Sequence, residues 1–132
     1  MPVVTIFNKK YDKATREDML IRTVLEHKRI RWESSDALTI NGQGVTVADQ
    51  TTVYIPLSLE GYVSPKEYQS LEDISNKWTI QNGDIVIKGE VLENLSHSEL
   101  EKKYDEVRVV QSVDTNDFSI TEMLKHFEIT AK

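Results

Sequence analysis

Alternation between apolar and polar positions organises most of the chain. Val3–Phe7 (VVTIF) is β-branched and aromatic and predicts a short strand, after which the polar stretch NKKYDKATRED, residues 8–18, reads as a turn region. In residues 19–35, MLIRTVLEHKRIRWESS, Val24, Glu26, Lys28, Ile30 and Trp32 share one parity and Leu25, His27, Arg29 and Arg31 the other. Neither face is cleanly apolar, and the stretch predicts one long strand with an irregular face. Met19, Leu20, Val24 and His27 fall near helical spacing, but the β-branched Ile21, Thr23 and Val24 favour the strand. From Ala37 onward, Val45 pairs with Val47 and Val53 with Ile55 as same-face positions on two extended segments. Asn41, Gly42, Gln43 and Gly44 (NGQG) mark a turn or flexible loop before them, and Pro56 ends the ladder or sits on an edge because it has no amide hydrogen to donate.

Two helix starts are well specified. Ser64-Pro65-Lys66-Glu67 and Ser96-His97-Ser98-Glu99 both read as a capping serine with a glutamate three residues on, and proline sits at the first helical position of the former. Between them runs WTIQNGDIVIKGEV, Trp78–Val91. Asn82-Gly83 predicts a two-residue type I′ hairpin loop that sets Ile80 opposite Ile85 and Trp78 opposite Ile87. Trp78, Ile80, Ile85 and Ile87 then form one apolar face, and the turn is a register device and not a ligand site. VRVVQSV predicts a further strand, TNDFSIT a turn region, and MLKHFEIT a closing strand with Phe127 and Ile129 inward. Six to eight short strands with one or two short helices predict a mainly β fold, an antiparallel β-barrel or sandwich, in a single domain over residues 1–132.

Composition narrows the function classes. A chain of 132 residues with 39% hydrophobic and 29% charged residues suits one folded domain that buries about two-thirds of its unfolded surface. The N-terminus lacks a basic region followed by a long apolar segment, and no apolar run reaches the roughly 20 residues that span a bilayer, so neither export by a standard signal nor a membrane partner is expected. With no cysteine, thiolate chemistry and disulfides are excluded. A formal charge of -6 disfavours general affinity for phosphates. The one local exception is KRIR, Lys28–Arg31, read here as the solvent face of a strand.

No motif carries recognisable chemistry. His27, His97 and His126 lack metal-ligand spacing, serines lack the nucleophile elbow, and NGQGVTV is followed by extended pattern in place of the helix that a phosphate loop needs. The acidic residues spread between apolar positions like a solvated surface. Catalytic, cofactor-binding and metal-binding residues are therefore all expected to be none, and the protein is expected not to be an enzyme.

Taken together, VVTIFNKKYDKATREDMLIRTVLEHKRIRWES, TVYIPL, GYVSPKEYQ, WTIQNGDIVIKGEV and VRVVQSVDTNDFS resemble a family of small structural proteins encoded in the morphogenesis region of tailed phages and prophages of Gram-positive bacteria, the head-tail connector group. The resemblance covers nearly the whole chain and rests on strand and turn patterns, with Phe127 where members often carry tryptophan. It implies a phage virion protein, made in the host cytoplasm, that assembles as a homo-oligomeric ring between portal or adaptor and tail proteins. In stopper members the ring performs head closure, blocking the DNA channel; DNA passes without sequence-specific binding, and no cofactor is implied. Asn41, Gly42, Gln43 and Gly44, with flanks from Thr39 to Gln50, are the candidate channel loop, on account of their glycines and small polar residues. Val3–Phe7 and Leu124–Thr130 are candidate edges for pairing with a neighbouring subunit. Three alternatives stand beside this reading: a minor capsid protein, a soluble acidic binding or inhibitory module, and a small hydrolase whose carboxylates meet only in the fold.

Overall fold

The computed structural model describes residues 2–41, 44–116 and 125–132. The polar stretch after Phe7 is not all turn. β1 (Val3–Asp12) continues through it, reverses at residues 13–16 and returns as β2 (Glu17–Glu26), paired in register from Val3↔Glu26 to Asp12↔Glu17. The single long strand expected over residues 19–35 is broken at His27–Ile30, where the Ile30 amide donates to the His27 carbonyl and the Arg29 amide to His27 Nδ1. This turn explains the irregular parity, because it resets the alternation and sends Ile30 into the core at 3% exposure. β3 (Arg31–Asn41) and β4 (Gly44–Pro56) then form a second hairpin that ends at Pro56 as expected.

The remaining elements are α1 (Pro65–Ser70), β5 (Ile85–Lys88), α2 (His97–Lys103), β6 (Val107–Asn116) and β7 (His126–Ala131). Both helices start where their caps predict. The Ser64 hydroxyl accepts from the Glu67 amide at α1, and both halves of the capping box are made between Ser96 and Glu99 at α2. Among the described residues the strands pair antiparallel in the order β2-β1-β5-β6-β7-β4-β3. Over these residues the sheet does not close into a barrel, and of the two expected architectures the sandwich is the one that fits.

β6 joins the two halves. Its first residues pair with β5 and its later ones with β7, with a register shift between Val110 and Ser112. Val4, Ile6 and Val86 from one half and Val53, Ile55, Phe127, Ile129 and Ala131 from the other meet in one buried cluster, capped by Trp78 and Ile80 from the long connection after β4. The opposite face of the first half carries Phe7, Ile85 and Ile87, covered by Val91 and by Leu100 of α2. Phe127 and Ile129 point inward as their alternation predicts.

Candidate functional site

The corner at Asn82-Gly83 differs from its sequence reading. Gly83 has φ +91°, whereas Asn82 is not in the left-handed region, and the Asp84 amide donates to the Gln81 carbonyl at 3.1 Å. One left-handed residue in third place is type II geometry, not type I′, and a type II turn does not continue two strands as a ladder. Residues 78–80 accordingly turn away from β5. Trp78 bridges to Tyr62 in parallel sense, and the Asn8 side chain bonds the Thr79 backbone, with Nδ2 donating to the carbonyl at 2.7 Å. The four apolar residues do not share a face: Trp78 and Ile80 enter the large cluster with Val86, and Ile85 and Ile87 enter the smaller one.

Asp84 holds this corner together. Fully buried, its carboxylate accepts from the Lys9 amide at 3.0 Å, the Gln81 amide at 3.0 Å and Asn8 Nδ2 at 2.8 Å, tying the turn to β1. Burial pushes its pKa above the usual carboxylate value despite those donors. Nearby, Tyr68 of α1 is pushed up to about 12, first by burial and then by the Asp84 charge.

The β3–β4 hairpin holds the candidate channel loop. Asn41 closes β3 and pairs with Gly44, the first residue of β4, while Gly42 and Gln43 lie outside the described residues. The flanks expected as loop, Thr39–Asn41 and Gly44–Gln50, are strand. β4 pairs with β7 only over Thr51–Pro56, so Ser35–Asn41 and Gly44–Gln50 form a two-stranded ribbon with no third strand beside it among the described residues. The expected sheet edges are also corrected. β1 lies between β2 and β5 and β7 between β6 and β4, so both are interior, and among the described residues the open edges are β2 and β3.

At the other end of the second hairpin, Lys28 and Arg29 of the KRIR segment lie in the β2–β3 turn, Ile30 is buried, and only Arg31 stands on a strand, as the first residue of β3. Lys28, Arg29, Arg31, Tyr54, Pro56, Lys125 and His126 line a cleft of about 460 Å³. Register builds it: Arg31 stands opposite Tyr54 and Pro56 opposite His126. The Arg31 guanidinium lies over the Tyr54 ring at 5.6 Å, and the His126 ring meets the same tyrosine edge-on at 5.5 Å. A larger groove of about 680 Å³ lies between the β1–β2 hairpin and α1, with Tyr11 and Met19 among its exposed apolar residues.

A model of a family of unknown function, DUF6751, matches residues 2–132. The chain belongs to this family. No curated protein and no solved structure matches it. The functional reading of this DUF6751 chain therefore rests on its own geometry.

In this DUF6751 chain Asp84 lines neither of these two clefts and is occupied by three donors. His27, His97 and His126 lie on separate elements, and no group of potential metal ligands forms among the described residues. The basic cleft is the feature that sequence reading misses. KRIR is visible in the chain, but Lys125 and His126 lie far along it, and only the β4–β7 register brings them together.

Proposed function

We propose that this chain is a non-enzymatic structural subunit of a phage head-tail connector, assembling as a ring between portal and tail proteins, with the β3–β4 ribbon directed at the DNA channel. The observation that carries the reading is the ribbon itself. Its strands, seven residues each, reach ~23 Å at about 3.3 Å per residue, and nothing else in the described sheet pairs with them. Its strands end at Asn41 and Gly44, the bounds of the candidate channel loop chosen for its glycines and small polar residues. The two open edges support assembly in the same sense. β2 and β3 are different strands, so copy-to-copy pairing through them is heterologous, and heterologous contacts make rings where the rotation closes.

The experiment is deletion of the coding sequence from an inducible prophage that carries it. Induced cells should then accumulate heads that lack tails and leak DNA, with rescue by the intact chain in trans. A chain deleted for Gly42–Gly44 should restore tail joining but not DNA retention. Intact, infectious particles made without the protein would refute the reading.

A further inference from the structure

We infer that the cleft between the β2–β3 turn and the start of β7 is a binding site for phosphate groups, with Lys28, Arg29, Arg31 and Lys125 as the cationic wall and Tyr54 as its floor. Three observations converge. The chain carries 22 acidic against 16 basic residues, yet of the seven described residues that line this cleft four are lysine or arginine and none is acidic. Three of them belong to the KRIR tract, and the fold adds Lys125 and His126 from far along the chain through the β4–β7 register. The outward row through Arg31 and Tyr54 continues to Glu128 and Asp114 on β7 and β6, but those carboxylates lie beyond the cleft's lining.

Like charges gathered on one concave surface repel one another, and an anion seated among them relieves that repulsion. Arg31 pairs with Glu33, both well exposed, and such a pair exchanges easily for a ligand oxyanion. Arg29, Lys125 and His126 each make a contact of their own within the chain. Guanidinium groups match the oxygen spacing of a phosphate, and lysines add point charge. The Arg31 guanidinium lies over the Tyr54 ring at 5.6 Å, which places it at the cleft.

The chemistry fits a phosphodiester of a nucleic-acid backbone and a free phosphate alike. The site stands on the cleft and is independent of the connector reading, since a phosphate site could serve a chain that forms no ring.

The test follows a short labelled DNA duplex by fluorescence anisotropy and inorganic phosphate by amide chemical-shift changes, in both cases with the full chain at low salt. Lys28→Ser/Arg31→Ser changes two exposed residues and should weaken both probes about tenfold, and the dependence of log affinity on log salt for the duplex should shrink by about 1 for each phosphate that is no longer neutralised. Arg31→Lys retains part of the binding, and the charge-matched control Lys66→Ser/Lys102→Ser, at exposed sites elsewhere, retains all of it. Phosphate binding without duplex binding keeps the site and assigns it to free phosphate. Binding of neither probe, or equal weakening in the control, overturns the proposal.

Discussion

Asp84 shows how a single polar side chain can decide a local fold. It follows an Asn-Gly pair that on its own favours a hairpin, yet its carboxylate gathers the Lys9 and Gln81 amides and the Asn8 amide group and so ties the turn to β1. Asp84→Ala leaves the two backbone amides without their acceptor; at about 1–3 kcal/mol for each buried donor left unpaired, urea unfolding should show a loss of about 2–6 kcal/mol. Asp84→Asn keeps the shape but sets an NH₂ group against one of the donors, and its loss should be about 1–3 kcal/mol. The pH dependence has a definite sign. Burial raises the folded-state pKa above the ordinary value of 3.8, so between 3.8 and that raised value the folded chain binds more protons than the unfolded one. The contribution of Asp84 to stability therefore falls as pH rises through this window. The melting-temperature advantage of wild type over Asp84→Asn should be larger near pH 4 than at pH 7; an advantage that shrinks on acidification would mean that the donors outweigh burial.

Elements are legible where their signal is local. Both capped helices, the Pro56 strand end and the alternation around Phe127 rest on residues within a few positions of one another, and each stands where the pattern puts it. Local signal fails where long-range contacts decide. The Asn82-Gly83 corner reads as a hairpin because nothing in WTIQNGDIVIKGEV reveals that β5 pairs with β1 and β6 and that Trp78 pairs with Tyr62. Strand order is equally hidden, so the terminal segments read as edges although β1 and β7 are interior. Two glycines separate these levels experimentally. A Cβ on Gly61, which has φ +93°, would stand 2.5 Å from the Asn76 carbonyl oxygen and 3.2 Å from the Trp78 ring. A Cβ on Gly83, φ +91°, meets only the end of Lys9 at 3.8 Å. Gly83→Ala should cost about 1–2 kcal/mol, the penalty of a left-handed backbone alone. Gly61→Ala adds a backbone clash beside the buried Trp78 and should cost clearly more, read by chemical denaturation with tryptophan fluorescence as the probe. At α2 the Ser96 hydroxyl accepts from the Glu99 amide, and Ser96→Ala should lower stability by about 1 kcal/mol through loss of the cap alone.

At the scale of the molecule, folding and assembly should be separable, because the ribbon shares no pairing with the rest of the described sheet. Its tip and the basic cleft stand at opposite ends of the β3–β4 hairpin: Arg31 begins β3 and Asn41 ends it, ten steps or ~33 Å away at about 3.3 Å per residue. One end can therefore be altered without touching the other. Ser35 and Gln50 are directly opposed, so replacing Asp36–Asp49 by Asn-Gly joins them through a two-residue hairpin loop while leaving Val53 and Ile55 in the core. The shortened chain should remain folded, with a melting temperature within a few degrees of wild type, roughly the shift of a 1 kcal/mol change in a domain of this size. Its phosphate-dependent shifts at Arg31 and Lys125 should also persist. What it should lose is DNA retention in particles assembled with it, measured as packaged DNA per head. If the shortened chain unfolds, the ribbon is part of the fold; if it folds and the heads retain their DNA, the ribbon is not the closure element and the connector reading loses the observation that carries it.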